Sequence, residues 1–323
     1  MFAMRRLFLI VMMLLGLGAP PAAAEPFELK DGDRVVFLGN TLIEREQKYG
    51  YWELLLTVAW PERNVTFRNL GWSGDTVWGE SRAGFGTQAD GFKALKEQVA
   101  EAKPTVIFVG YGNVEVFEGA KGLSKFIEGL NQLLDVLEPT KARIVILGPT
   151  LQNGAETPNP HWQQYNADVR SYSQAMSEAT GKRGHRFVEF ITVTDSKPFQ
   201  TNDVLPMTED GATIAELGYL ALFDAMNDQL QLPEESENVA DKLFPEDGSV
   251  PPLLASIRKK NEFFFYRWRP QNETYLFGFR KHEQGNNAKE VFEFDPLVTA
   301  EEKKIAELRL QIAAIVKKAN GAK

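Results

Sequence analysis

The chain has 323 residues, of which 43% are hydrophobic and 25% are charged, and its formal net charge is −8. Such a composition is ordinary for a globular protein and is long enough for one domain with a sizeable core plus an extension. The negative charge argues against nucleic acid or an anionic membrane as the main partner. The chain has no cysteine, which excludes disulfides, thiolate metal sites and a cysteine nucleophile.

Residues 1–24 have the pattern of a Sec-type signal peptide. Arg5 and Arg6 form a positive start, an apolar run follows to Gly18, and Ala22–Ala24 provide a small-residue cleavage site. The apolar run is shorter than the ~20 residues of a membrane-spanning helix. We therefore expect export to the periplasm or the extracellular space, with no stable membrane anchor after cleavage.

Between residues 25 and 231, short apolar runs alternate with helical patterns. Strands are predicted at Arg34–Leu38, Val65–Asn69, Thr105–Val109, Arg143–Leu147 and Arg186–Glu189. Helices are predicted near Trp52–Ala59, Phe92–Ala102, Tyr165–Thr180, after Gly122, and from Ile214 to Met226. Continuous runs of Val, Ile and Phe are typical of buried parallel strands. Repeated βα units predict a parallel sheet with helices on both faces, a three-layer α/β/α sandwich.

Residues 232–323 have a different character and are predicted to form a C-terminal extension. Prolines mark an irregular connection, followed by the aromatic and basic segment Phe263–Asn272. Thr299 and Glu302 predict a capping box at the start of a final helix, whose apolar stripe is Ile305, Leu308, Ile312 and Ile315. Because so many aromatic side chains are seldom left exposed to water, we expect this extension to pack against the α/β body.

Polar residues stand at four junctions between the predicted elements. The four blocks are Gly39-Asn40-Thr41, Asn69–Thr76, Gly110–Glu115 and Thr208–Thr213. Each block alone is a weak signal, because Gly, Asn and Ser are ordinary turn residues. In open α/β sheets, however, ligands gather at the carboxyl ends of the strands, where the first three blocks would lie.

Taken together, the four blocks resemble the SGNH (GDSL-type) ester hydrolase superfamily over roughly Asp33 to Gln229. Trp-Ser-Gly-Asp-Thr-Val-Trp-Gly-Glu in the second block, with Arg269–Phe277 and Arg280–Asn287, is similar to a secreted bacterial branch of that superfamily. The resemblance implies a flavodoxin-like fold, hydrolysis of acyl or acetyl esters, and no cofactor. It also implies a serine nucleophile, an oxyanion hole that includes a glycine and an asparagine, and a closing Asp-x-x-His.

The chain departs from that pattern where the chemistry would occur. By the resemblance, Thr41 stands at the nucleophile position, Gly74 at the oxyanion glycine and Asp210 at the triad acid. Val114 replaces the asparagine, and Thr213 replaces the histidine base. Losing one oxyanion donor costs ~10²–10³ in rate, and losing the base of a triad costs ~10⁶. The resemblance therefore implies a slow or inactive site.

Five further residues are pocket candidates: Asn40, Ser73, Asn113, Glu115 and His282. Ser73 is either a turn residue or a displaced nucleophile that needs a histidine within reach. His282 is either a surface residue or a substitute base that the extension carries over the sheet edge. No spacing of His and Asp suggests a metal site.

Two functions remain open from the sequence. One is a secreted ester hydrolase that removes acyl groups from a small molecule or a carbohydrate through a slow or rearranged site. The other is a non-catalytic carbohydrate-binding or scaffold protein on the same fold. In both cases the partner is a small-molecule or carbohydrate ester.

Overall fold

A computed structural model describes residues 25–201, 206–233, 250–270 and 272–320, without the side chains of residues 315, 316 and 318–320. The signal peptide expected at residues 1–24 and most of the connection expected after Leu232 lie outside this part of the chain. Within it, no helix combines the length and the apolar character needed to cross a membrane.

A five-stranded parallel sheet forms the centre of the described chain. Its strands are β1 (Arg34–Gly39), β2 (Thr66–Gly71), β3 (Val106–Gly110), β4 (Arg143–Leu147) and β5 (Arg186–Val188). The order across the sheet is β2-β1-β3-β4-β5, and every neighbouring pair is parallel. This is the order of flavodoxin-like doubly wound folds. The predicted strands are confirmed to within two residues at each end.

Helices cover both faces of the sheet. Those of the body are α1 (Thr41–Tyr49), α2 (Tyr51–Ala59), α3 (Gln88–Ala102), α4 (Leu123–Leu137), α5 (Trp162–Lys182), α6 (Ile191–Thr194), α7 (Lys197–Thr201) and α8 (Glu216–Leu230). Successive strand residues point to opposite faces, so Phe37 joins one apolar cluster with α2 and α8, and Leu38 joins another with α3, α4 and α5. The predicted three-layer α/β/α architecture is confirmed.

Three glycines end neighbouring strands at one level, where Gly39 pairs in register with Gly71 and Gly110. A Cβ at Gly39 would lie 2.2 Å from the Gly110 carbonyl oxygen, and one at Gly71 would lie 2.2 Å from the Glu44 nitrogen. The row of glycines therefore lets α1 begin directly against the carboxyl edge of the sheet. This close approach delivers residues 40 and 41 to that edge.

The described extension consists of α9 (Pro252–Trp268), α10 (Glu273–Leu276) and α11 (Phe294–Asn320), with α9 packed on α11. Two expectations need correction. The first part of the aromatic segment is the end of a helix that was not predicted. The capping box at Thr299 is wrong, because a 3₁₀ turn runs directly into a helix that begins at Phe294. The Thr299 hydroxyl instead donates to the Asp295 carbonyl, at 2.9 Å, inside the helix.

A buried ion pair fastens the extension to the body. The Nζ of Lys260 in α9 donates to both carboxylate oxygens of Glu53 in α2, at 2.8 and 2.6 Å, and to the Phe67 carbonyl at 3.2 Å. Burial lowers the pKa of Lys260 and raises that of Glu53, while their mutual attraction opposes both shifts. Removing either partner would leave an uncompensated buried charge, so this contact resists separation of extension and body. The division of the chain at residue 232 stays a prediction.

Candidate ligand pocket at the carboxyl edge of the sheet

A pocket of about 190 Å³ opens at the carboxyl ends of β1 and β3. These two strands flank the point where the strand order reverses, which is where ligands bind in flavodoxin-like folds. The pocket is lined by Asn40, Thr41, Leu42, Arg45, Asn113, Val114, Phe117, Thr150, Gln152, Tyr165, Ala212, Thr213, Ile214 and Tyr219. Residues of the first, third and fourth sequence blocks therefore meet in one cavity.

Thr41 is the first residue of α1 and lies half-buried in the pocket wall. Its Oγ1 accepts a hydrogen bond of 3.1 Å from the backbone N–H of Gly74. Gly74 has a φ of 72°, a left-handed conformation in which glycine carries no steric cost. The N–H that the resemblance assigns to an oxyanion hole is thus already engaged by the hydroxyl at the nucleophile position.

Asn40 caps α1 and presents an unsatisfied amide. Its Oδ1 accepts from the Leu42 N–H at 3.2 Å, which stabilises the helix start. The residue is 1% exposed, and its Nδ2 has no hydrogen-bond partner among the described residues. A buried donor without a partner costs free energy, so an oxygen atom of a ligand would stabilise this side chain.

Thr213, which the resemblance places at the histidine position, bonds to Asp210. The Thr213 hydroxyl donates to Asp210 Oδ2 at 3.1 Å, and Oδ1 accepts from the N–H groups of Ala212 and Thr213 at 3.0 and 2.6 Å. Burial acts to raise the pKa of Asp210, but the hydrogen bonds from Thr213 and Ala212 outweigh it and lower the pKa. The Asp210 carboxylate accepts hydrogen bonds from residues of its own turn. Thr213 supplies no proton acceptor for Thr41.

The third block contributes two adjacent residues to the lining. The Nδ2 of Asn113 donates to the carbonyl and to the hydroxyl of Thr150, each at 3.1 Å. The Asn113 carbonyl accepts from the Tyr165 hydroxyl at 2.8 Å. Val114, which the resemblance places at the asparagine position, has an apolar side chain that cannot donate a hydrogen bond. The side-chain amide of Asn113, one position earlier, therefore already donates to Thr150.

Glu115, expected in the pocket, is not among its lining residues and joins two loops. It is 4% exposed, and its carboxylate oxygens accept from the N–H groups of Val77 at 2.8 Å and Gly112 at 2.9 Å. Burial raises its pKa to about 7, although these hydrogen bonds oppose the shift. Its role in the structure is to hold the second block against the third.

Ser73 and His282 also lie outside the residues that line the pocket. Ser73 is exposed, and its backbone N–H donates to Glu44 Oε2 at 2.6 Å. His282 is exposed on the 3₁₀ turn Lys281–Gln284 of the extension. The extension contacts the second block through Arg269, which lies over the Trp72 ring, and His282 fits the alternative of a surface residue.

No side chain that accepts protons near neutral pH lines the described pocket. His161 and His185, the other two histidines of the chain, are absent from its lining. Its titratable lining residues are Arg45, Tyr165 and Tyr219. Burial raises the pKa of both tyrosines. Burial acts to lower the pKa of Arg45, but the neighbouring Glu209 carboxylate raises this pKa overall.

Two residues near the pocket were missed from the sequence. Phe117 lines the pocket, is 66% exposed, and has its ring centroid 4.8 Å from that of Tyr165. Arg269, at the end of α9, forms an ion pair with Glu44 and lies over the ring of Trp72. Neither carries a local pattern that separates it from a packing residue, although Arg269 stands in a stretch that resembles the family.

No protein-family model matches the chain, and no curated protein matches it in sequence. Similar solved structures include two variants of Axe2 from Geobacillus stearothermophilus, described as an acetylxylan esterase and as an acetyl-xylooligosaccharide esterase. Each is 16% identical with a TM-score of 0.50, and the matches cover 64% of this chain and 97% and 98% of those chains. LAE5, an α/β hydrolase enzyme from the metagenome of Lake Arreo, is 16% identical with a TM-score of 0.48, over 63% of this chain and 97% of that one. The likeness to Axe2 shows the fold alone, a three-layer α/β/α architecture that this chain shares with these enzymes.

Proposed function

We propose that this chain is an SGNH-type member of the esterase-like fold that binds a carbohydrate ester in its pocket and hydrolyses it slowly or not at all. The observation that carries the proposal is the pairing of Thr213 with Asp210, which leaves no base beside Thr41. The four sequence blocks, three of which line one cavity at the carboxyl edge, support the assignment to this superfamily.

The absence of a base decides the chemistry. Attack by a hydroxyl on an ester needs a neighbouring group that takes its proton. The described partner of Thr41 Oγ1 is the N–H of Gly74, a donor that cannot accept a proton. With Val114 in place of an oxyanion donor as well, the losses of ~10⁶ for the base and ~10²–10³ for the donor leave little catalysis.

The same pocket suits a saccharide that carries an acyl group. Phe117 offers an exposed aromatic face at the pocket, and an aromatic platform beside a few polar groups is typical of small-ligand sites. Asn40 has an amide donor without a partner among the described residues, and Gln152 adds a second amide to the lining. A sugar hydroxyl or an ester carbonyl would accept from such donors. The descriptions of Axe2 suggest acetylated xylo-oligosaccharides as probes.

Calorimetry with acetylated xylo-oligosaccharides, with acetate release followed in the same samples, tests the proposal. We expect binding without catalytic acetate release. Phe117→Ala should weaken binding roughly two- to twelvefold, on the scale of the about 0.5–1.5 kcal/mol that aromatic contacts contribute beyond burial. Phe85→Ala is the matched control, since Phe85 is 92% exposed and is not among the lining residues. Equal affinities in both variants would contradict this pocket as the site, and acetate release abolished by Thr41→Ala would contradict the missing catalysis.

We also propose that the protein works outside the cytoplasm, on the signal-peptide pattern of residues 1–24. Fusing these residues to a phosphatase that is active only after export should give phosphatase activity. Replacing Arg5 and Arg6 by Glu in the fusion should reduce it. An inactive fusion that accumulates in the cytoplasm would contradict the proposal.

A further inference from the structure

A chain of contacts joins the C-terminal extension to the pocket. Arg269 follows α9, the helix that the buried Lys260–Glu53 pair fastens to the body. Its guanidinium forms an ion pair with Oε2 of Glu44 in α1, and its central carbon lies 4.1 Å from the centroid of the Trp72 ring. The extension therefore contacts both the first helix of the body and the second sequence block.

The shielding of this ion pair makes it more than a surface contact. The side chains of Arg269 and Glu44 are 22% and 19% exposed, so water screens their attraction less than that of a fully solvated pair. Trp72 covers the guanidinium with an aromatic face, which favours a cation. Arginine suits both contacts at once because its planar group can stack and bind a carboxylate.

Glu44 passes this contact on to the backbone of the second block. The oxygen that pairs with Arg269 also accepts the Ser73 N–H at 2.6 Å, a charge-assisted hydrogen bond. The N–H groups on either side of Ser73 are fixed as well, Trp72 to the Gly39 carbonyl at 2.9 Å and Gly74 to Thr41 Oγ1 at 3.1 Å. Three consecutive amides are thus held against the end of β1 and the start of α1.

We infer that Arg269 is a positioning residue for the pocket. It neutralises and orients Glu44, Glu44 fixes the Ser73 amide, and the Gly74 amide is thereby held at Thr41. The affinity of the pocket for its ligand consequently depends on the extension. The inference rests on the proposed function for its binding measurement alone, since the order of the residue 73–74 backbone is measurable without ligand.

Amide hydrogen exchange of Arg269→Ala and Arg267→Ala tests the inference. Arg267 makes the same kinds of contact two residues earlier, with an ion pair to Glu101 at 3.2 Å, another to Asp295 at 2.9 Å, and Phe292 under its guanidinium at 4.4 Å. Arg269→Ala should speed exchange in the peptide that contains residues 73 and 74 at least roughly tenfold, as expected for loss of a hydrogen bond to a charged group. Arg267→Ala should leave that peptide unchanged.

Binding of the acetylated xylo-oligosaccharide supplies the second measurement. Arg269→Ala should weaken it, Arg269→Lys should restore it in part because the charge returns without the planar stack, and Arg267→Ala should have no effect. Similar exchange in the two alanine variants would overturn the inference whether or not the probe binds. Altered exchange with no binding by any variant, the wild type included, would uphold the positioning role and contradict the proposed function instead.

Discussion

The pocket differs from the seam, our name for the Lys260–Glu53 contact between the extension and the body, in whether its buried polar groups have partners. In the seam, Lys260 and Glu53 are 1% and 3% exposed and hold each other in a close ion pair. In the pocket, the amide of Asn40 has no partner among the described residues, and the Thr41 hydroxyl is held by one backbone amide. Buried polar groups are normally satisfied within the chain. The Lys260–Glu53 pair meets that rule and stabilises the fold, whereas the Asn40 amide in the pocket leaves a donor for a group from outside.

The largest effect should come from the seam. Lys260→Ala leaves the Glu53 carboxylate buried without its cation, which should lower the free energy of unfolding by about 3–5 kcal/mol. Urea unfolding measures the loss. Lys259→Ala is the matched control, because that side chain is 49% exposed and pairs with Glu262 on the surface; it should change stability by less than about 1 kcal/mol.

A double replacement separates charge from packing at the same place. Lys260→Met combined with Glu53→Met removes both charges and keeps similar volumes, and buried ion pairs replaced in this way are often neutral or stabilising. The double variant should recover most of the stability that Lys260→Ala loses. A double variant as unstable as the single one would show that the seam depends on shape and not on charge.

Glu115 should give the next largest effect, as a function of pH. Its pKa is about 7 in the fold instead of 4.5, so between these values the folded state binds a proton that the unfolded state has released. Stability from this group is fully present below pH 4.5 and is lost as the pH rises through about 7. The unfolding free energy of wild type minus that of Glu115→Gln should fall by about 3 kcal/mol from pH 4.5 to pH 8. A constant difference would show that Glu115 is ionised throughout.

The pocket itself should give the smallest effect on stability. Thr41→Ala and Thr213→Ala each remove one hydroxyl that bonds at 3.1 Å, so each should lower the unfolding free energy by only about 1 kcal/mol or less. Thermal unfolding of both variants beside Lys260→Ala makes the comparison directly. Losses at the pocket as large as those at the seam would remove the distinction between the two regions.

Sequence patterns predicted the strands more accurately than the helices of the extension. The apolar runs before Gly39 and Gly110 predicted two of the strands and the edge where the pocket lies, because a continuous apolar run that stops at a glycine is a local signal. Helix α9 was missed because aromatic side chains fill several sides of its last turns and blur the apolar stripe. The start of α11 was missed because a capping box describes a free helix end, whereas Thr299 lies inside a continuous helix.

The pocket was predictable only in part for a similar reason. Thr41, Asn113 and Thr213 line the cavity. This was predicted from the positions of the first two after strands and of the third before a helix. The hydrogen bond of the Val77 N–H to Glu115 and the ion pair of Arg269 with Glu44 are contacts between residues far apart in the chain. The spacing of residues along the sequence does not show which distant residues come into contact.

We propose that Thr41 has no base and therefore hydrolyses esters slowly or not at all. The most direct measurement exposes the mature wild-type protein, Thr41→Ala and Ser73→Ala to a fluorophosphonate probe and to an aryl acetate. We expect no probe labelling and aryl acetate turnover at or near the level of buffer in all three folded proteins. Labelling and turnover in the wild type that disappear in either variant would identify a working nucleophile and contradict the missing base.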